Sequence, residues 1–235
     1  MRNKQYAFGL CFMAIVTIAL LAASIGTIEW AILKVVPNDN NNVTYCDVTR
    51  KMGLFRFEDV VTSTTSCLNS GHLLSASVYD ENYLIFNHGL LQAVIAFCAL
   101  GIICNLITMG VASFNICSNP YEHYLTPIAM LIYNAVGLVL SLVAVILYTV
   151  LLYGDLQDPL VAEYPGSPAT GNIYQSVYGV ENSYFGFSFF LVVVAIITQL
   201  IGILLAAMSE RSVVVNCFKK KEEPNNNKGQ DVMMF

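Results

Sequence analysis

The side chains able to do chemistry in this 235-residue chain are few and scattered. His72, His88 and His123 fall in three separate segments. None has a second His or Cys at metal-ligand spacing, and no HExxH or CxxC pattern occurs. A Gly-rich phosphate loop and a nucleophile elbow are also missing. The expectation is a protein that is not an enzyme, with no catalytic residues, no cofactor, no metal site and no nucleic-acid partner. The residues left for chemistry are modification and pairing sites: the sequon Asn42-Val43-Thr44 and the seven cysteines.

Four long uncharged runs must position these residues. No Asp, Glu, Lys or Arg occurs between Gln5 and Ile28, Asn82 and Tyr121, His123 and Gly154, or Asn182 and Ser209. Each run exceeds the roughly 20 residues an α-helix needs to cross a hydrocarbon core. Charged residues make up 11% of the chain and crowd between the runs. The reading is one membrane domain over 1–209, with spans near 7–27, 89–114, 128–153 and 184–208. Outer loops then cover 31–88 and 154–183, and a disordered cytoplasmic tail covers 210–235. The first apolar run is longer than a signal-peptide core of about 7–15 residues, and Trp30 follows it as an interfacial anchor. A retained span is therefore expected.

Lys and Arg placement orients the spans. With both termini inside, Arg2, Lys4, Arg211, Lys219, Lys220, Lys221 and Lys228 are cytoplasmic. The second outer loop carries four acids and no base, so the net charge of −5 divides into an acidic exterior and a slightly basic interior. On this topology Cys11, Cys98 and Cys104 lie within spans. Cys46 and Cys67 face the oxidising side, where a lone pair most simply forms a disulfide. Cys117 and Cys217 fall at the cytoplasmic boundary as candidates for palmitoylation, with inert free thiols as the plainer description.

In the first loop, Val43–Val48, Gly53–Phe57 and Val60–Thr62 alternate like strands, which predicts a small antiparallel sheet. Leu73–Tyr79 fits a strand or a short interfacial helix. The second loop, with Pro165-Gly166-Ser167-Pro168 and several tyrosines, reads as irregular. Asn105, Asn134, Ser141, Thr198 and Gln199 are expected to hydrogen-bond between helices. Gly137/Ser141 and Gly202/Ala206 give small-residue spacing for close packing within the bundle. Lys219-Lys220-Lys221 suits anionic lipid or a simple stop-transfer flank. The ending Met233-Met234-Phe235 suits a PDZ groove, and chance hydrophobic endings are common.

Trp30, the Gly53-Leu54-Phe55 motif and the loop cysteines make the chain resemble the claudin-like tetraspan superfamily. That group's pattern is a Trp, then Gly-Leu-Trp, then two closely following cysteines. Here Phe55 replaces the second Trp, and Cys46 precedes the motif. Those departures are similar to the clarin family, which places one cysteine before and one after a Gly-Leu-Phe and carries a sequon in the first loop. The Asn119-Pro120-Tyr121-Glu122 turn and the hydrophobic ending are also similar.

The resemblance implies a left-handed four-helix membrane bundle with a β-rich extracellular lobe, in the plasma membrane of sensory cells. It implies a non-catalytic organiser or auxiliary subunit that works in mechanotransduction or synapse maintenance. Its partners would be membrane lipids, other membrane proteins and a PDZ- or actin-linked scaffold. A claudin-like adhesion protein is the competing expectation. A channel or carrier is a third, disfavoured by the absence of ionisable residues in the spans.

Overall fold

The computed structural model describes residues 2–37, 48–61, 72–79, 88–117, 127–154, 160–165 and 173–222. Its helices are α1 (Arg2–Gly26), α2 (His88–Cys117), α3 (Pro127–Gly154) and α4 (Phe187–Glu222). Its strands are β1 (Ala31–Pro37), β2 (Val48–Met52), β3 (Arg56–Val61), β4 (His72–Ser77), β5 (Leu160–Pro165) and β6 (Ile173–Phe185). Four helical segments, Gln5–Gly26, His88–Cys117, Ile128–Gly154 and Phe187–Met208, are long and apolar enough to cross a membrane. Away from its ends, each bonds its backbone polar groups along the helix, as a segment in hydrocarbon must. They carry apolar residues on all sides instead of one stripe. Phe8, Ile103, Ile146 and Leu204 are exposed while Leu10, Cys98, Ala144 and Val192 are fully buried.

The helices close into a ring in which α1 packs on α2 and α4, and α3 packs on the same two. All six strands form one antiparallel sheet in the order β4-β3-β2-β1-β6-β5. The connectivity explains why sheet and bundle are continuous. β1 leaves α1 after Thr27–Trp30, and β6 enters α4 through Gly186 alone, so the paired helices α1 and α4 continue into the paired strands β1 and β6. One sheet face is closed, with Ala31, Leu33, Met52 and Phe57 buried in the main core beside Leu21, Leu91, Tyr148 and Val192. The alternate residues Ile32, Lys51 and Glu58 are only partly buried. A second, smaller core of Leu10, Ala112, Met130 and Ala206 closes the far end.

Several expectations need correction. The second loop is not irregular where described: β5 and β6 supply a third of the strands, because β6 finds its partner in β1, far away in sequence. Tyr184 and Phe185 are strand, so the last helix starts at Phe187 and not at 184. Gly53-Leu54-Phe55 is the turn between β2 and β3, closed by Gly53 N–H donating to the Arg56 carbonyl at 2.8 Å. Helix α4 runs to Glu222, so 210–222 is helical where a disordered tail was expected. For the 72–77 segment the strand alternative holds, paired to β3.

Candidate functional site: the joint between sheet and bundle

The joint is built from four residues after α1. Past Gly26 the chain leaves helical geometry, and its backbone is captured from two sides. Trp30 N–H donates to the Met52 carbonyl at 2.9 Å, and Gly186 N–H donates to the Trp30 carbonyl at 2.9 Å. Ser188 N–H, in the first turn of α4, donates to the Glu29 carbonyl at 2.9 Å. This gives an orphan amide of the α4 N-terminus a partner. Two glycines make the approach feasible. A Cβ at Gly53 would lie 2.8 Å from the Ile28 Cα, and one at Gly186 would collide with the Glu29 carbonyl carbon and oxygen.

Side chains complete the stitching. Ser24 Oγ donates to the Ser188 carbonyl at 2.8 Å, and the Thr27 and Ser188 hydroxyls share a 2.6 Å bond. Trp30 is 0% exposed, which corrects its reading as an interfacial anchor. Its Nε1–H donates to the Ser24 carbonyl at 2.7 Å, and its ring lies 4.7 Å from Tyr148 and 6.4 Å from Phe189. An indole with its one polar group satisfied and its faces packed belongs in a core. Phe185 stacks on Phe189 at 4.1 Å and extends the aromatic cluster into β6. Of the motif residues, Gly53 and Leu54 are buried in the joint, and Phe55 stands 47% exposed at the turn.

A buried ion pair lies further out on the closed face of the sheet. Arg50 and Asp59 face each other across β2 and β3 and bond through two contacts, Nε to Oδ1 at 2.7 Å and Nη2 to Oδ2 at 2.8 Å. The Arg50 guanidinium also lies 4.6 Å from the centre of the Phe57 ring. Bidentate geometry and an aromatic face are what a guanidinium needs when removed from water. At the joint itself Lys51 pairs with Glu29 at 2.6 Å, with both side chains about a third exposed (35% and 36%).

The middle of the bundle holds polar side chains of another kind. Thr17 and Thr198 share a hydroxyl bond of 2.7 Å between α1 and α4, the interhelical bond expected of Thr198. Asn105, Ser141 and Gln199 do not follow that expectation. Asn105 Nδ2 and Ser141 Oγ bond back to the carbonyls of Gly101 and Gly137 on their own helices. Asn105 Oδ1 and both Gln199 side-chain heteroatoms find no partner among the described residues. The small residues act within the bundle, as expected. The position of a Gly137 Cβ is 3.3 Å from both Asn105 Nδ2 and Gln199 Nε2, and that of Gly202 is 2.6 Å from Asn134 Nδ2.

The remaining sequence-derived sites are spread apart. Cys117 is the exposed last residue of α2 and is a free thiol, as are Cys11, Cys98 and Cys104. Cys217 and Lys219–Lys221 lie on the distal part of α4. Asn42, Cys46, Cys67, His123, the Asn119–Glu122 turn and Met233–Phe235 lie outside the described residues. Among the described residues, no three His, Cys, Asp or Glu side chains come together to hold a metal ion. Sequence reasoning missed Gly186, Arg50 and Asp59. The available signals were a lone Gly between a strand and an apolar helix, and charges in phase with the buried Met52 and Phe57. No protein-family model matches this chain, and no curated protein does.

Proposed function

We propose that the protein is a multi-pass membrane organiser or auxiliary subunit, which holds partner membrane proteins and carries no ion flux itself. The observation that carries this reading is the stitched joint. Backbone bonds from Glu29 and Trp30 to Met52, Gly186 and Ser188 fix the sheet to the ends of α1 and α4. A sheet held this way is a rigid platform, and rigid presentation lowers the ordering cost of binding. Its half-buried and exposed features, Phe55, Lys51, Glu58 and Lys34, offer mixed apolar and charged contacts.

The bundle supports the same reading, since its described buried polar groups are amides and hydroxyls. Ion and proton pathways are marked by ionisable groups at mid-membrane. In this account the plasma membrane holds the chain, the sheet lies outside, both termini are cytoplasmic, and the helices form a left-handed claudin-like bundle. Trp30 and Gly53-Leu54, the motif residues of the clarin resemblance, meet at the joint. That meeting supports a role in sensory-cell mechanotransduction or synapse upkeep, with an actin- or PDZ-linked scaffold on the cytoplasmic side. Reconstitution of purified protein into liposomes tests the reading. Flux at the level of protein-free vesicles is expected, and selective ion or solute flux would promote the channel alternative.

A further inference from the structure

A groove of about 330 Å³ opens at the sheet end of the bundle, lined by Gly26, Thr27, Ile28, Glu29, Phe187 and Ser188. Its size falls at the lower end of ligand pockets, which span about 300–1,000 Å³. Three features give it chemical character. The C-terminus of α1, the negative end of that helix dipole, forms one wall. Glu29 lines another side, and its carboxylate engages Lys51 through Oε1, so a negative and a positive charge lie together next to the groove. Phe187, 61% exposed, offers an aromatic face. Below it, Phe190, Val194, Ile197, Ile201 and Leu204 continue the exposed face of α4 at alternating spacings of three and four residues. One stripe of the helix is therefore apolar and uncovered from the groove to Leu204.

We infer that this groove is a binding site for one phosphatidylcholine molecule of the membrane leaflet on the sheet's side. The choline ammonium would lie against Glu29 and Phe187, the phosphate would face Lys51, and an acyl chain would run along the α4 stripe. The inference rests on the membrane-spanning reading of the helices. The charge pattern selects the lipid. A quaternary ammonium is recognised by a carboxylate and an aromatic face, and the adjacent lysine matches the phosphate of the same headgroup. An anionic headgroup lacking an ammonium would satisfy Lys51 and leave the Glu29 side of the groove facing a polyol.

The chain's single tryptophan provides the assay. Trp30 follows the groove-lining Glu29 directly and is shielded from general lipid contact. Full-length protein is reconstituted into vesicles containing brominated phosphatidylcholine or brominated phosphatidylglycerol at equal mole fraction, and quenching of Trp30 fluorescence is measured. Partly exposed charge contacts support a preference of about threefold for the choline lipid. Glu29→Gln should remove that preference. Lys51→Met should retain it, because the carboxylate that attracts the ammonium is still present. Equal quenching by the two lipids overturns the inference. So does loss of the preference in both variants, which would assign the effect to the ion pair and not to the carboxylate. No quenching by either lipid overturns the inference, because a lipid in the groove would bring bromine close to Trp30; the membrane-spanning reading would stand, since Trp30 is shielded from bulk lipid.

Discussion

Gly186→Ala is the substitution that most directly interrogates the joint. The new methyl group would meet the Glu29 carbonyl, a backbone atom held by the bond from Ser188 N–H, so neither side yields cheaply. Relief requires β6 and α4 to move away from residues 29 and 30. That movement weakens two backbone hydrogen bonds, at about 0.5–1.5 kcal/mol each. Displacement of packed surroundings adds about 1–3 kcal/mol. The total is on the order of 2–6 kcal/mol, a large share of a typical folding stability of about 5–15 kcal/mol. For a chain of this size each kcal/mol lowers Tm by about 2–4 °C, so a mid-range loss of about 4 kcal/mol predicts a fall of about 8–16 °C. Trp30 fluorescence in detergent reports the transition at the joint itself. Gly110→Ala is the control, since a Cβ there meets nothing within 4 Å; its Tm should hold or rise, because Ala favours a helix over Gly by about 1 kcal/mol. A Gly186→Ala protein with the wild-type Tm would refute the reasoning, as would equal losses in the two variants.

Arg50→Met should cost about 3–5 kcal/mol by leaving the buried Asp59 carboxylate uncompensated, whereas Arg50→Met with Asp59→Leu should recover most of that loss in the same melting assay. Gly202→Ala should shift stability by less than about 1 kcal/mol, because the obstructing atom is the movable end of the Asn134 side chain and helix propensity offsets the displacement. Asn42→Gln should abolish an endoglycosidase-sensitive mass shift, and a C-terminal epitope should stain only after cells are permeabilised. Staining of intact cells would reverse the proposed topology. Cys46→Ser and Cys67→Ser should each hold the protein in the endoplasmic reticulum, and normal surface delivery of both would show that no essential bridge joins them.

The four helices were legible because charge exclusion over some twenty residues is a one-dimensional signal that needs no partner. The sheet was legible only where pairing is local. β3 falls on the alternating runs Gly53–Phe57 and Val60–Thr62, although Gly53–Phe55 is turn, whereas β2 shares only Val48 with the run Val43–Val48, whose other residues lie outside the described ones. β6 instead pairs with β1 from the other end of the chain, and its sequence, with three Tyr and two Ser among thirteen residues, carries no clear apolar alternation to announce it. Tyr184 and Phe185 continue the apolar run of the fourth span in sequence, whereas the Gly186 contact with Glu29 fixes the change from strand to helix after them.

Trp30 and Arg50 mark a different limit. Composition assigns a Trp after a span to the interface and an Arg in a loop to water. Burial of each depends on acceptors far from its own peptide bond: the Ser24 carbonyl for the indole and the Asp59 carboxylate for the guanidinium. Glu29 is the first charged residue after the first uncharged run, but the groove beside it appears only when α1 and α4 are brought together.

On the proposed function, the rigid sheet holds partner membrane proteins. Cross-linking mass spectrometry of the tagged full-length chain in native membranes tests it most directly. Cross-links to other membrane proteins should concentrate on the sheet, at Lys34, Lys51 and positions flanking Phe55, and should be lost when Phe55→Ser is combined with charge reversal at Lys34. A chain recovered without protein cross-links at the sheet, or cross-linked equally in that variant, would contradict it.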